Sequence, residues 1–556
     1  MKKKIYIEII LAILLAINTL NIFCQNRNTS YFQIIKKDTG QIDSSYVINY
    51  LNKYLGTRYN KGFIADAYDS IVFDTVKVQA RLIKNQKYYW GELIPVNIDK
   101  KEYPNVYKAL EGLKNKPVSP EYFEYKMNNI LKQFCNNGYP FAVIYLDNIS
   151  ISDNKVNAQL KLIQNGRYYI DSVISKGTIK INQKLLCRIL NIKTGEIYND
   201  EKINSISQQI NNVKFIKEIR PYELEFFEDK ARIFIYPEKN NSNYFDALIG
   251  IYPSDNNNKK INVTGEVNLN LLNSFRHAEQ FTIQWRRITN QTQSMNLSVE
   301  WPYLFTTIFG FESGFKLYKK DTSFLNIDFN EGFRLYNSSN NYLRIFFERN
   351  TSIILNQFNN KGYRSYKANM AGIGYNYSNI DYIYNSSKGF ETNFNFIEGI
   401  KKTSDTGLYE NKIISKLNMA LYVPLKDKFV IKIQNKTGCI ISKDILENEM
   451  MKIGGQETVR GLDESNTLAS FYSVISFEFR FLFEKNSSLF LFSDIGYYQK
   501  QSILENIYDE PFSFGIGLNL FTKSGIFTMN YALIRQFKNP LDISSSKIYI
   551  GYINRF

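Results

Sequence analysis

The amino-acid sequence predicts an α+β region built from repeated β-α-α-β-β units, followed by a transmembrane antiparallel β-barrel of about 16 strands. Three observations lead to this fold class: an apolar segment at the N-terminus, a sequence pattern that recurs before residue 240, and strand-like alternation after it. The composition agrees, because 41 Tyr and 41 Phe occur in a chain whose mean hydropathy is only −0.32. Barrel strands with one lipid-facing and one polar face produce that combination.

The composition excludes several other classes. With 556 residues, 44% hydrophobic, 15% aromatic and 22% charged, the chain lacks the multiple long apolar runs of a helical membrane protein and the aromatic poverty of a disordered one. One histidine and four cysteines leave little for a histidine-based metal site or a Ser–His–Asp triad. We therefore expect no metal, no cofactor and no catalytic residue, and a protein that is not an enzyme.

Residues 1–24 resemble a signal peptide for export. Three lysines precede an apolar core of nine residues, 9–17, which is too short to span a bilayer as a helix. The alternative is a lipoprotein acylated at Cys24, but the residues before it are not the small ones that such a site needs. The three remaining cysteines are far apart, so we expect no disulfide framework among Cys135, Cys187 and Cys439.

Two segments of the N-terminal region match at a fixed spacing. Leu82 and Tyr88 recur 80 positions later as Leu162 and Tyr168, and glycines at 62 and 138 precede them. A helix is predicted before each glycine, at 45–54 and at 120–134, where Ser119 and Pro120 form a favourable start. A third unit is predicted with strands at 168–175, 222–227 and 231–236 and helices at 182–190 and 200–212.

The predicted units are a truncated repeat at 28–84 and two fuller repeats at 85–165 and 166–240. The alternative is a series of unrelated small α/β domains.

From residue 243 to 556 the dominant pattern has period two. In one stretch apolar residues alternate with polar or charged ones over 475–481, Ile-Ser-Phe-Glu-Phe-Arg-Phe. A soluble sandwich with its apolar face inward would show the same alternation. The signal peptide, the strand length of about ten residues and the aromatic residues near strand ends favour a membrane barrel.

One segment interrupts the strands, 453–462, Ile-Gly-Gly-Gln-Glu-Thr-Val-Arg-Gly-Leu. It is followed by Phe-Glu-Phe-Arg at 477–480, Phe-Ser-Asp-Ile-Gly at 492–496 and a final strand at 548–556 that ends on Phe556. This series resembles the BamA/TamA outer-membrane protein assembly superfamily (bacterial surface antigen type) and, more distantly, the two-partner secretion transporters. The layout is most like that of TamA, because BamA has more repeats.

The resemblance implies periplasmic POTRA repeats before a 16-stranded barrel in the outer membrane. It also implies that a long loop folds back into the lumen, where Arg460 pairs with an acidic wall residue, Glu478 or Asp494. The loop motif consists of Gly454, Gly455, Val459, Arg460 and Gly461. Arg460 could equally serve only to fasten the loop, and the two roles are compatible.

The resemblance further implies a working seam between the first strand, 244–252, and the last. The seam residues of the last strand are Ile550, Gly551, Tyr552 and Phe556, whereas Asn554 departs from the family pattern. The implied partners are the lipid bilayer, unfolded client proteins and a periplasmic or inner-membrane-anchored protein. The implied function is insertion of proteins into the outer membrane, or their translocation across it.

The alternative function is a two-partner-secretion-type translocation pore for one secreted protein. A passive channel or receptor is disfavoured by the repeats. Nucleic acid is not expected as a partner, since the net charge of +16 is spread over the chain without a basic stripe.

Overall fold

The computed structural model describes residues 28–35, 44–73, 77–179, 181–240, 242–253, 261–287, 292–356, 362–383, 385–463, 467–484, 486–522, 525–537, 539–540 and 546–554. The predicted signal peptide, Cys24 and Phe556 lie outside these ranges. Among the described residues, no helix is both long and apolar enough to cross a membrane.

The chain divides into two compact units. One comprises Met1–Asp171, Gly195–Ile203 and Phe226–Ala231, and the other comprises Ser172–Thr194, Asn204–Glu225 and Arg232–Phe556. The division passes through the third predicted repeat, 166–240. The repeat boundaries derived from the sequence therefore stay predictions.

The first unit contains two small three-stranded sheets, in the orders β1-β3-β2 and β4-β6-β5. Helix α3 begins as predicted, with the Ser119 hydroxyl accepting from the backbone N–H of Tyr122 at 3.3 Å. Strands β4 and β6 are parallel, and β5 pairs with β6 antiparallel. The elements are β1 (Asn28–Ile35), α1 (Ser44–Tyr59), β2 (Ala67–Phe73), β3 (Lys77–Lys84), β4 (Tyr89–Val96), α2 (Pro104–Glu111), α3 (Pro120–Asn136), β5 (Val143–Ser152) and β6 (Lys155–Ile163).

The matching glycines have matching conformations. Gly62 and Gly138 have φ angles of +97° and +98°, in the region that favours glycine. The carbonyl of Gly62 accepts from the backbone N–H of Tyr88 at 2.8 Å, and that of Gly138 accepts from Tyr168 at 2.8 Å. The same backbone hydrogen bond is therefore present at both matching positions.

The third predicted repeat has the expected strands and the helix expected at 182–190, whereas the helix expected at 200–212 is interrupted. The helix predicted at 200–212 is two short helices separated at Ser205, whose hydroxyl donates to the side-chain oxygen of Gln209 at 2.6 Å. A two-stranded sheet, β11-β8, was not predicted, because strands of three residues show too little alternation. The elements are β7 (Tyr169–Ser175), α4 (Gln183–Ile189), α5 (Asp200–Asn204), α6 (Ile206–Asn211), β8 (Ile216–Glu218), β9 (Glu223–Phe227), β10 (Lys230–Ile235) and β11 (Pro237–Lys239), with the sheet order β7-β10-β9.

The second unit is dominated by one antiparallel sheet of 17 strands within the described residues. Sixteen of these have 8 to 18 residues, in agreement with the predicted number, and the remaining one, β27, has four. The strands are β12 (Tyr244–Pro253), β13 (Ile261–Leu272), β14 (Gln280–Arg287), β15 (Gln293–Trp301), β16 (Phe309–Lys320), β17 (Phe324–Ser338), β18 (Asn341–Ile354), β19 (Tyr366–Ser378), β20 (Gly389–Thr403), β21 (Tyr409–Lys426), β22 (Phe429–Ser442), β25 (Phe471–Glu484), β26 (Ser487–Gln501), β27 (Asn506–Asp509), β28 (Phe512–Thr522), β29 (Gly525–Arg535) and β30 (Lys547–Asn554). Two short strands, β23 (Met451–Ile453) and β24 (Thr467–Ala469), form a separate pair between β22 and β25.

The two faces of the large sheet are arranged in the opposite way from those of a soluble sandwich. On β25, Phe477 and Phe479 are 43% and 46% exposed, whereas Ser476 and Glu478 between them are 7% and 5% exposed. The apolar side chains are outside and the polar ones are inside. Outward apolar and inward polar residues are the pattern of a membrane barrel.

The two end strands of the sheet lie next to each other. Cα atoms of β12 and β30 come within 8 Å. Among the described residues, however, no ladder pairs these strands, and the sheet order begins at one and ends at the other.

Candidate functional site: an arginine on the inner face of the sheet

The loop between β22 and β25 turns sharply at the predicted glycines. Gly454, Gly455 and Gly461 have φ angles of +115°, +84° and +103°, which side chains rarely adopt. A Cβ at Gly454 would lie 2.1 Å from the carbonyl oxygen of Asp463, and a Cβ at Gly461 would lie 2.7 Å from Cβ of Ile534. These positions therefore require glycine for both conformation and space.

Arg460 contacts both carboxylates that the sequence proposed as alternatives. Its side chain makes a two-pronged contact with Asp494: Nε donates to Oδ2 at 2.9 Å, and Nη2 donates to Oδ1 at 2.5 Å. The backbone N–H of Arg460 also donates to Asp494 Oδ2, at 3.1 Å. Its Nη1 donates to Glu478 Oε1 at 2.9 Å. Arg460 is 6% exposed, and its guanidinium lies 3.7 Å from the centre of the Phe492 ring. Burial strengthens such contacts, because little water competes for them.

Glu478 is shared among three cations. Arg480 donates to its second oxygen at 2.7 Å, and the Lys432 ammonium lies 3.8 Å from the first. With Asp494 included, three positive groups face two carboxylates. The cluster therefore carries a positive charge of one, with every carboxylate contacted by a cation.

The loop motif also contacts the last strands of the sheet. Val459 and Leu462 are buried with Ile534 of β29. The Tyr549 hydroxyl of β30 accepts from the backbone N–H of Gly461 at 2.9 Å and donates to the carbonyl of Leu462 at 2.7 Å. One short segment thus connects β25 and β26 with the terminal strand.

The predicted seam residues are only partly described. Ile550 is 66% exposed on the outer face of β30, and Gly551 lies beside Thr528 of β29. The side chain of Tyr552 and the whole of Phe556 lie outside the described residues.

A second anchor of the same loop was missed by sequence reasoning. Glu449 contacts Lys401 of β20 at 2.8 Å and Lys412 of β21 at 2.6 Å, and both carboxylate and ammonium groups are buried. The neighbouring Asn448 donates to the Ser352 hydroxyl of β18 at 2.6 Å. The sequence did contain one signal of this contact, namely a lysine at an inward position of each of two adjacent strands. Nothing in the loop sequence indicated which acid would meet them.

The third predicted repeat contacts the large sheet within the second unit. Gln208 and Asn212 donate to the carbonyl of Ile380, at 2.6 and 3.0 Å, in the turn between β19 and β20. Arg188 donates to the carbonyl of Thr306, at 2.9 Å, in the turn between β15 and β16. Both turns lie at the end of the sheet from which β12 starts, so the repeat is fastened at that end.

Three features define the structural class of this protein. It has an antiparallel sheet with an apolar outer face, the sheet curves around an inserted loop, and small α/β units precede it. "CdiB from Escherichia coli" has this fold: the TM-score is 0.52 at 11% identity, over 93% of this chain and 100% of that chain. The likeness confirms, at the level of fold, the resemblance stated from the sequence.

Two further solved structures overlay less well. "CdiB from Acinetobacter baumannii" gives a TM-score of 0.49 at 12% identity, over 92% of this chain and 97% of that chain. "BamA from Haemophilus ducreyi lacking POTRA domains 1-3" gives 0.41 at 13% identity, over 84% and 100%. No family model and no curated protein matches the sequence.

Proposed function

We propose that this chain is a non-enzymatic outer-membrane β-barrel protein that assists the insertion of other proteins into the outer membrane, or their translocation across it. The observation that carries the proposal is the loop arginine, Arg460, held by Asp494 and Glu478 on the inner face of the sheet. The motif also contacts Tyr549 of the terminal strand. In this proposal, that contact restrains the strand that would have to move.

The proposed working surface is the seam between β12 and β30. A strand edge whose backbone N–H and C=O groups lack a ladder partner can pair with an incoming strand. Each hydrogen bond with a client strand would satisfy a backbone N–H or C=O group that has no ladder partner at the edge. The free energy for insertion would come from client folding and from burial of apolar side chains in lipid, with no nucleotide required.

The N-terminal units are proposed to be POTRA-like repeats in the periplasm. Their three-stranded sheets end in edge strands such as β5, which can bind an extended client or a partner protein by strand addition. The contacts of Gln208 and Asn212 with the turn after β19 would transmit the position of the third repeat to the sheet.

The second candidate is a translocation pore for one secreted protein, of the two-partner-secretion type. The loop anchored by Glu449 and Arg460 crosses the inner face of the sheet and would have to leave it before a polypeptide could pass. Both candidates use the same fold, and the identity of the cargo distinguishes them.

Substitution of Arg460 tests the proposal. Arg460→Ala should reduce the amount of folded client barrels in the outer membrane several-fold, because the loop then loses its contacts with Asp494 and Glu478 and no longer positions the terminal strand. Quantitative proteomics of the outer-membrane fraction measures the clients, and protease protection measures the variant itself. Arg460→Lys, which keeps the charge, should be less severe.

The matched control is Arg344→Ala. Arg344 also forms an ion pair on the inner face, with Glu312, and its other side-chain hydrogen bond among the described residues goes to Asn395 of β20 and not to the loop. Unchanged client levels and normal outer-membrane permeability in the Arg460 variants would contradict the proposal. Loss of one secreted protein, with barrels unaffected, would favour the pore.

A further inference from the structure

Two neighbouring connections at one end of the sheet each carry an exposed phenylalanine. They are residues 273–279, between β13 and β14, and 302–308, between β15 and β16, both at the end from which β12 starts. Phe275 in the first is 64% exposed, and Phe305 in the second is 90% exposed. Two other connections at that end, 339–340 and 427–428, are the polar pairs Ser-Asn and Asp-Lys. An exposed aromatic ring is therefore not common to every connection at this end.

Both connections hold the backbone in an unfavourable conformation. Six residues other than glycine have φ angles between +50° and +65°: Asn273, Arg276, Ala278, Tyr303, Phe305 and Thr306. Side chains rarely adopt this region, and bulky or β-branched ones such as those of Phe305 and Thr306 are the least suited to it. Such a backbone persists only where surrounding contacts hold it, and it commonly marks a functional segment.

Specific hydrogen bonds hold the two connections in this shape. The carboxylate of the fully buried Glu279 accepts from the backbone N–H of Phe275 and, at 2.9 Å, from that of His277. In the second connection, Arg188 of the third predicted repeat donates to the carbonyl of Thr306 at 2.9 Å. The exposed rings are therefore presented at defined positions.

The two phenylalanines continue the apolar outer face of the sheet beyond the strand ends. The ring of Phe275 meets that of Phe281 edge-on, with 5.8 Å between the centres. Phe281 belongs to the outer face, because it lies on the same side of β14 as Ile283, which is 40% exposed. Phe305 precedes Phe309, an outward residue of β16 that is 53% exposed, by four positions.

The strands next to these connections are short for a membrane-spanning wall. Strands β14 and β15 have eight and nine residues. At a rise of about 3.3 Å per residue and a tilt of about 40°, they reach a height of about 20–23 Å, whereas the apolar band of an outer-membrane barrel is about 25 Å tall. The 15 residues of β17 reach about 38 Å on the same measure. Along β14 and β15, the connections at the strand ends therefore fall at the boundary of the hydrocarbon layer.

We propose that Phe275 and Phe305 insert into the periplasmic leaflet of the outer membrane, an inference that rests on the proposed location of the barrel and of the repeats. Lipid is the occupant because the rings extend a surface that already faces lipid. They also complete the apolar height that the two short strands lack. The exposed Arg276 next to Phe275 places a guanidinium at the same boundary, where lipid phosphates accept hydrogen bonds from it. The contact fixes this side of the sheet, next to β12, at a defined depth in the bilayer.

Spin labels measure the depth of the two side chains in the full chain, reconstituted in vesicles of phosphatidylethanolamine and phosphatidylglycerol. The labels are attached at Phe275→Cys and Phe305→Cys in a background where the native cysteines are replaced by serine: Cys24, Cys135, Cys187 and Cys439. Oxygen dissolves in the hydrocarbon and a nickel chelate stays in water, so the ratio of their collision rates with the label reports depth. That ratio should be roughly fivefold or more above the ratio at Asp427→Cys, because hydrocarbon excludes polar solutes. Asp427 is the matched control, an exposed residue in a polar connection at the same end, and Phe477→Cys on the outer face of β25 is the lipid reference.

Several results would overturn the proposal. A water-exposed label at either phenylalanine, with the Phe477 label in lipid, would refute the contact and leave the proposed location intact. Labels that neither reagent reaches would also refute it, because protein would then cover the connections. A water-exposed label at Phe477 would refute the location on which the contact rests.

A second variant keeps the aromatic ring at the tip of the turn. Phe305→Trp should add emission that bromine-labelled lipid quenches, and unquenched additional emission would count against the contact. Heat-dependent electrophoretic mobility verifies that every variant is folded. Client assembly in the Arg460 variants is measured separately, so the lipid contact and the proposed function can fail independently.

Discussion

The guanidinium of Arg460 suits its position because it offers several N–H donors in one plane. Asp494 takes two of them side by side, and Glu478 takes another from the adjacent strand. A lysine ammonium carries the same charge on a single atom and cannot match two carboxylates on two strands with the same geometry. The residue type is therefore determined by the shape of the acceptor set as well as by its charge.

Asp494→Asn should lower the free energy of unfolding by about 1.5–3 kcal/mol, the range for a hydrogen bond to a charged group. The amide keeps the shape of the carboxylate but loses its charge and one acceptor. Urea unfolding in lipid vesicles, followed by tryptophan or far-ultraviolet signals, measures the change. Ser493→Ala, one residue away on the outer face of β26, is the control and should have little effect. In an Arg460→Ala background the same Asp494→Asn change should cost far less, and an equal cost in both backgrounds would contradict the pairing.

At this scale the family resemblance, which the loop motif and the two strand motifs carry together, indicated the arginine and its two candidate partners. It gave no indication of Tyr549. That residue lies 88 positions from Gly461, and in the sequence it is one member of an alternating strand. Its role follows only from the return of the terminal strand to the loop.

At the scale of elements, the loop between β22 and β25 is fastened at two sites. Glu449 attaches it to β20 and β21, and Arg460 attaches it to β25 and β26. The strand alternation that predicted the sheet is absent from the loop, and its path depends on contacts with residues far away in sequence. The helix predicted at 200–212 is interrupted at Ser205, although the φ and ψ angles of this residue, −83° and −9°, are still helical.

Glu449→Gln should loosen the first of these sites. The change leaves the ammonium groups of Lys401 and Lys412 buried without their shared carboxylate, which is strongly unfavourable. In planar bilayers the purified variant should show ion conductance several-fold above that of the wild type, because the loop leaves the inner face of the sheet more often. Glu457→Gln is the matched control, since Glu457 is in the same loop and its side chain is exposed. Equal conductance of the two variants would contradict a closing role for the Glu449 contact.

At the scale of the whole molecule, the sheet begins and ends with strands that lie side by side. The length of the region after residue 243, at about 19 to 20 residues for each strand and its connection, predicted the number of long strands. It could not predict how the ends meet, since β12 and β30 are separated by nearly the whole sheet in sequence. The resemblance to the outer-membrane assembly superfamily supplied that expectation, and the described residues place the two strands within 8 Å without a ladder between them.

The function of the seam is tested by closing it covalently. Cysteine at Ile550, an outward residue of β30, is combined in turn with cysteine at Phe245 and at Ala247, two exposed residues of β12. We expect at least one pair to oxidise and to stop client assembly in outer-membrane vesicles, because the edges can no longer separate to pair with a client strand. A reductant should restore assembly.

The matched control is Met529→Cys/Ile550→Cys, which links β29 to β30 at directly opposite residues that a ladder already joins. The β29–β30 disulfide should form without affecting client assembly. Normal client assembly with the β12–β30 disulfide fully formed would contradict the prediction, because it would show that the end strands do not have to separate.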